Sequence, residues 1–190
     1  MHSGYNFGLP RYLVTGNPLP TSTRFAVAIH ILSGIALHQG QVVRSEDLAR
    51  SVNTNPTTVR RILGALSDAG LTRGQMGQGG GALLAKPASK ITLLDIYKAV
   101  EEPQYFALHR SKPDPSCYVY CYIIPVLEEQ FDEFTKAMEK LLSKTTLADV
   151  VKKVEAHAGF AFVPRALTAL PGRSEAVHPK AAPVATPAAR

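Results

Sequence analysis

The sequence predicts a mainly α-helical protein in which three helices and a two-stranded hairpin precede a long helix, and three observations support this fold class. Two short helical patterns between Arg44 and Gly70 are separated by a tight polar turn. A glycine-rich segment with a short apolar run after it follows directly, which is typical of a β-hairpin. An apolar stripe then continues from about Tyr118 to Ser143. This order is that of a winged helix-turn-helix domain followed by a dimerisation helix.

The first helix is predicted from Ser22 to His38 because apolar residues recur there at helical spacing. The residues expected to face inward are Phe25, Ala28, Ile29, Leu32, Ile35 and Ala36. His30 lies in this helix, and no second histidine or cysteine follows nearby at the spacing of metal ligands. We therefore interpret His30 as a structural residue.

The helix-turn-helix is predicted between Ser45 and Gly70. A short helix opens at Ser45, and Asn55 is the expected N-cap of the next helix, because proline at position 56 suits the first helical position. Gly70 is expected to close this second helix. The apolar positions that would build its buried face are Val59, Ile62, Leu63 and Leu66.

The opposite face of this helix is polar and basic near its N-terminus, as suits a helix that enters a DNA major groove. The hairpin that follows has a glycine tip from Gly77 to Gly81 and is interpreted as a wing. The candidate DNA-contacting residues are Asn55, Thr57, Thr58, Arg60, Arg61, Arg73, Gln75 and Gln78. Each piece alone also suits a small helical domain with a flexible loop and solvated arginines. The order and compact spacing of the pieces favour DNA.

Beyond the wing, Thr92 and Asp95 form a predicted capping box that opens a helix ending near Glu101. The long helix after it has more apolar surface than one small domain covers, which favours a two-fold dimer. Such a dimer would place two recognition helices ~34 Å apart on a pseudo-palindromic operator. The alternative is an intramolecular core helix. Pro125 either kinks the long helix or marks its start.

Composition agrees with a single globular unit that has tails. The 190 residues are 45% hydrophobic and carry a formal net charge of +6, and the pI is near 9.4, so an anionic partner is expected. We predict an N-terminal extension (1–20), a winged helix-turn-helix domain (21–100), a loop (101–116), a dimerisation helix with a short following helix (117–155), and an Ala/Pro-rich, mostly disordered tail (156–190).

Several segments together resemble the Rrf-type family of bacterial regulators, over about Thr21 to Val154. These segments are 24–32, 53–66, 69–71, 79–81 followed by 84–85, 91–97 and 146–150. The family includes the iron–sulfur-cluster regulator, the nitric-oxide-sensing repressor and the cysteine-metabolism repressor. The resemblance implies a homodimeric winged-helix transcription regulator, usually a repressor, whose long helix pairs two subunits. Met76 and Gln78 stand where many relatives place Arg and Pro, so the resemblance does not extend to a wing arginine at the tip.

The two cysteines, Cys117 and Cys121, lie where cluster-binding relatives carry their ligand cysteines. Those relatives have three cysteines, whereas this sequence has two, and a [2Fe–2S] cluster needs four ligands. We therefore expect no cofactor, as in cluster-free members, although an iron–sulfur sensor is kept as an alternative. A thiol at a helix N-terminus gains thiolate character, so a redox or electrophile switch is the functional interpretation. Two inert packed thiols are the alternative.

The sequence thus predicts a homodimeric regulator that binds double-stranded DNA and is not an enzyme, because no catalytic constellation is recognisable. A winged-helix module that docks proteins without DNA is the alternative from another class. No apolar run reaches the length of a membrane span, and no signal peptide is evident. We therefore expect no membrane partner and a cytoplasmic location.

Overall fold

The computed structural model describes residues 22–38, 40–77, 79–102, 105–108 and 116–159, except for the side chains of Tyr120 and Cys121. The helices are α1 (Arg24–Leu37), α2 (Ser45–Val52), α3 (Pro56–Asp68), α4 (Leu93–Val100), α5 (Tyr118–Lys144) and α6 (Leu147–Ala158). The strands β1 (Thr72–Gln75) and β2 (Gly81–Leu84) lie between α3 and α4, and a 3-10 turn (Ala88–Lys90) follows β2. The predicted mainly α winged helix-turn-helix with a long C-terminal helix is confirmed.

The core of the winged part is formed by α1, α2, α3 and the strands around them. Ile31, Leu32 and Leu66 are completely buried. The inward face predicted for α1 omitted Ile31. Because α1 is central and packs against other elements on more than one side, its buried residues extend beyond a single amphipathic stripe. The helix extends from Arg24 to Leu37, slightly shorter than predicted.

The end of α3 is closed by a six-residue turn that includes Gly70. The N–H of Gly70 donates to the Ser67 carbonyl at 2.9 Å, and the N–H of Leu71 donates to the Leu66 carbonyl at 2.8 Å. Gly70 has φ +67°, which an L side chain rarely adopts. Leu66 and Leu71 are both buried in the same core. This Schellman pattern confirms the predicted stop and directs the chain into β1.

The wing is a two-stranded antiparallel sheet whose register runs from Thr72 opposite Leu84 to Gln75 opposite Gly81. A third segment joins it, because Val43 and Ala82 exchange backbone hydrogen bonds of 3.0 and 2.8 Å. The wing is therefore fastened to the loop between α1 and α2 and not only to its own hairpin.

The long helix begins at Tyr118 and continues through Pro125 to Lys144, so Pro125 does not mark its start. Its apolar stripe divides into two faces. Phe131 stacks on Phe106 with ring centroids 5.0 Å apart, and Lys98 of α4 pairs with Glu139 at 3.0 Å. The outer face, defined by Tyr118, Val119, Tyr122, Val126 and Leu141, is exposed. Phe134 is half-exposed at the border between the two faces, where its ring also contacts Phe106. None of the described helices is both long and apolar enough to cross a membrane.

The short helix α6 returns to the winged part of the molecule. Leu147 is completely buried, and its N–H donates to the Ile91 carbonyl at 2.8 Å. Thr146 and Asp149 form a capping box at its start. The short helix was predicted in one segment with the dimerisation helix, whereas in the structure α6 packs against α1 and its Leu147 belongs to the core. The predicted extension and nearly all of the predicted tail lie outside the described residues.

Candidate nucleic-acid interface

The start of α3 is built as predicted. The Asn55 side chain accepts a hydrogen bond from the Thr57 N–H at 2.8 Å, and Pro56 occupies the first turn. Asn53 ends α2 in the left-handed conformation with φ 57°, which lets a very short turn connect the two helices. Thr57 is exposed at the middle of the polar face of α3, and Thr58 is half-buried. The N-terminal end of α3 is thus presented at the surface.

The neighbouring arginines of α3 point to different sides, because successive residues of an α-helix are about 100° apart. Arg60 lines a cleft of about 590 Å³ that also includes Ser45, Glu46 and the wing. We call it the wing cleft. Arg61 lines a separate cleft of about 240 Å³ with Arg24 and Val100. Both arginines are exposed on the face opposite the buried residues of α3, with Arg60 on the side nearest to the wing and Arg61 on the side nearest to α1 and α4.

The wing supplies the other wall of the wing cleft. Arg73 and Gln75 are exposed on β1 and line it. Met76 is 99% exposed at the tip. Gln78, the third wing residue predicted to contact DNA, lies outside the described residues. The wing cleft thus brings together Arg60 of α3 with Arg73 and Gln75 of the wing, which are far enough apart in sequence that only folding joins them.

Glycine at position 81 is required by a close backbone approach. A Cβ atom built on Gly81 would lie 2.4 Å from the Val43 carbonyl oxygen. This is the point where Ala82 and Val43 exchange backbone hydrogen bonds. Gly77 and Gly79 at the tip have φ values of +99° and +86°. The glycine tip predicted from the sequence therefore includes one glycine, Gly81, that permits the close contact between the wing and Val43.

Glu46 is the residue of the wing cleft that sequence reasoning missed. Its carboxylate accepts a hydrogen bond from the Arg60 guanidinium and another from the Ser45 hydroxyl at 3.2 Å. A hydrogen bond from its own backbone N–H, then the bond from Arg60, hold the pKa of Glu46 below its usual value. The two residues are fourteen apart in sequence, so helical spacing could not reveal the pair.

The pair is open to solvent, because the side chains of Arg60 and Glu46 are 59% and 56% exposed. Exposed ion pairs contribute little to folding. Its main consequence is local charge: at the margin of α3 nearest to the wing, the positive charge of Arg60 is offset by a carboxylate. No such carboxylate was assigned to this surface from the sequence.

Cys117 lies at the N-cap of α5, is exposed, and forms no disulfide. Its side chain makes no capping hydrogen bond. Cys121 follows four residues later within α5, and its side chain lies outside the described residues. Across the described parts of the chain, no group of three or more His, Cys, Asp or Glu side chains is arranged to hold a metal ion.

Comparison with known proteins agrees with this architecture. YwnA of Bacillus subtilis (strain 168), which carries the name of an HTH-type transcriptional regulator, is 40% identical over 131 residues, covering 68% of this chain and 96% of YwnA. The structure of CymR, the global cysteine regulator of B. subtilis, aligns with a TM-score of 0.55 and 22% identity, covering 72% of this chain and 98% of CymR. The structure of T. potens IscR aligns with a TM-score of 0.55 and 23% identity, covering 73% and 90%. At these identities the two structures bear on the fold alone.

Residues 21–153 match the Rrf2 family, which is described as iron-dependent transcriptional regulators. This range includes the winged part, the long helix and the first seven of the twelve residues of α6. It also agrees with the resemblance that the sequence segments indicated. The chain therefore belongs to the Rrf2 family of transcriptional regulators.

Proposed function

We propose that this protein is a homodimeric, sequence-specific DNA-binding repressor that acts on a pseudo-palindromic operator. The observation that carries the proposal is the wing cleft, where Arg60 on the exposed side of α3 and Arg73 of the wing line one continuous surface, on the same helix whose start is capped by Asn55. A helix of this kind enters a major groove while a wing contacts the backbone or minor groove. The regulator name of YwnA supports the same function.

Within this proposal the site residues have separate tasks. Thr57 and Thr58, beside the Asn55 cap, contact phosphates at the start of α3, where helix amides favour anions. Arg60 and Arg61 contact the two sides of the groove, because they are about 100° apart around the helix and line different clefts. The wing residues that reach the backbone or minor groove are Arg73, Gln75 and Gln78.

The second subunit is proposed to cover the outer face of α5. Tyr118 is 80% exposed and Leu141 is 66% exposed, although both lie on a helix whose other face packs against the chain. Contiguous apolar surface on a helix indicates a protein interface. A two-fold dimer would bury this face and present two copies of α3 to one side of a duplex.

The test of DNA binding measures the dissociation constant against salt concentration, with duplexes selected from a random library by the parent protein. A DNA-binding protein loses affinity linearly in log salt, with a slope set by the phosphates that it neutralises. An Arg60→Ala/Arg61→Ala variant should lose affinity, with about 1–3 kcal/mol for each base-contacting arginine. Arg50→Ala is the matched control, since Arg50 is an exposed arginine of α2 that lines neither cleft.

Two results would contradict the proposal. If the double variant binds as tightly as the parent, α3 does not contact DNA through these arginines. If the parent leaves duplex DNA free at low salt, the protein-docking interpretation of the winged helix is favoured instead.

We propose further that this member works without an iron–sulfur cluster, although the family is described as iron-dependent. The available thiol ligands do not fit a [2Fe–2S] cluster, because the whole sequence contains two cysteines and such a cluster needs four ligands. Cys117 and Cys121 are instead the candidate redox sensors. Oxidant should then weaken operator binding by the parent and not by a Cys117→Ser/Cys121→Ser variant; equal loss in both would contradict a thiol switch.

A further inference from the structure

Glu46 stands out among the residues of the wing cleft because it carries the charge that DNA repels. It lies at the start of α2 and reaches across to Arg60 of α3. A carboxylate on a surface that neutralises phosphates lowers non-specific affinity. The pair cannot be explained by stability, since both side chains are more than half exposed. We therefore consider the effect of the Glu46–Arg60 pair on DNA binding.

The hydrogen bond between the two residues leaves most of the arginine available. Arg60 donates through Nη2 to Oε1 of Glu46, whereas a guanidinium has five N–H donors. The remaining donors can still form the bidentate contact to O6 and N7 of guanine. A neutralised arginine gains little from a phosphate, whose attraction depends on net charge. It keeps its attraction to a base edge, which depends on directed hydrogen bonds.

We propose that Glu46 is a specificity-determining residue: by holding the Arg60 guanidinium it keeps this cation off the phosphates and directs it to a guanine edge. The inference rests on the proposed DNA-binding function and adds a residue to it. Arg61 lines the other cleft together with Arg24, and none of the residues that line that cleft carries a carboxylate. Arg61 is therefore the corresponding phosphate anchor. One margin of α3 thus reads sequence, and the other supplies sequence-independent affinity.

The experiment compares binding of the parent, Glu46→Ala, Arg60→Ala and the double variant to a selected operator duplex and to a scrambled duplex across a salt series. Glu46→Ala frees one positive charge, so its scrambled-duplex salt slope should steepen by about 0.9 and its affinity at 0.1 M salt should rise about tenfold. The ratio of operator to scrambled affinity should fall about tenfold.

Asp47→Ala is the matched control. Asp47 is the next residue of α2, carries the same charge and is also paired with an arginine, Arg50, but it does not line the wing cleft. Its removal should leave the affinity ratio within about twofold of the parent, since Debye screening weakens charges that are not at the contact. An Asp47→Ala effect equal to that of Glu46→Ala would overturn the proposal.

The double variant tests whether the two residues act as a unit. Its affinity ratio should equal that of Arg60→Ala, because Glu46 acts only through Arg60. Selection from a random library should show that Glu46→Ala and Arg60→Ala relax the choice of the same base pair. Losses that multiply, or relaxation at different base pairs, would overturn the role of Glu46 and leave DNA binding standing. A parent that selects no duplex would overturn the proposed function itself.

Discussion

The winged core and the outer face of α5 contain the same kinds of apolar residue, yet the chain buries one set and leaves the other open. Leu66 of α3 is completely buried, whereas Leu141 of α5 is 66% exposed. Both belong to regular helices with apolar stripes. The difference teaches that the stripe of α5 is wider than its own domain can cover. The core residues fold one chain, and the outer face is available for a second one.

The largest expected effect is the loss of this second chain. A Val126→Glu variant places a charge in the middle of the outer face, and burying an unpaired carboxylate at an interface is strongly unfavourable. We expect the parent to sediment as a dimer and the variant as a monomer in analytical ultracentrifugation. Far-UV circular dichroism should remain that of the parent, because the position is exposed within one chain.

Val154→Glu provides the matched control for this change. Val154 is also an exposed valine, 47% against 54% for Val126, but it lies on α6. Its variant should keep the mass of the parent. If both variants dissociate, or if the parent is itself a monomer, the outer face of α5 is not the subunit interface.

Two leucine-to-alanine variants, one in the core and one on the outer face, extend the same comparison to the free energy of unfolding. Leu66→Ala removes a buried side chain and leaves a cavity, so it should lower the free energy of unfolding by about 2–5 kcal/mol. Leu141→Ala removes the same atoms from an exposed position and should change the monomer by about 0.5 kcal/mol or less. Urea denaturation at low protein concentration measures both.

The concentration dependence separates the two roles further. The Leu66→Ala loss should persist at every protein concentration, whereas a Leu141→Ala loss should grow as the parent dimerises. Equal losses at low concentration would mean that the outer face belongs to the folded core of a single chain.

Much of the fold was predictable because local rules decided it. The N-cap at Asn55, the glycine stop at Gly70 and the capping box at Thr92 are each set by residues two to five positions apart, and all three are confirmed. The long helix was predicted within one residue of its observed end. These features depend on short-range hydrogen bonds and on periodicity, which a single sequence displays.

The candidate site was less predictable because its geometry is set between elements. The helical period separates Arg60 and Arg61 by about 100°, but the cleft that each arginine lines depends on how α1, α4 and the wing pack around α3. The pairing of Glu46 with Arg60 joins two helices across the turn. The return of Leu147 to the core required knowing where α5 ends in space. Long-range contacts of this kind leave no periodic signal in the sequence.

The smallest expected effect concerns the backbone contact that fastens the wing to the core. The outer face of α5 has no such contact with the rest of the described chain. Gly81→Ala places a Cβ atom 2.4 Å from the Val43 carbonyl oxygen, so the backbone must move apart and the paired hydrogen bonds to Ala82 weaken. We expect a loss of about 1–3 kcal/mol in the free energy of unfolding, as for other overpacked sites.

Gly74→Ala is the matched control for the wing, because a Cβ atom at Gly74 meets nothing within 4 Å and the residue pairs with Ala82 in the same sheet. That substitution should be neutral or stabilising by up to about 1 kcal/mol, since it reduces the freedom of the unfolded chain. The difference between the two alanines, measured by urea denaturation, isolates the Val43 contact from the general effect of losing a glycine. Equal values would show that the wing is held by its hairpin alone.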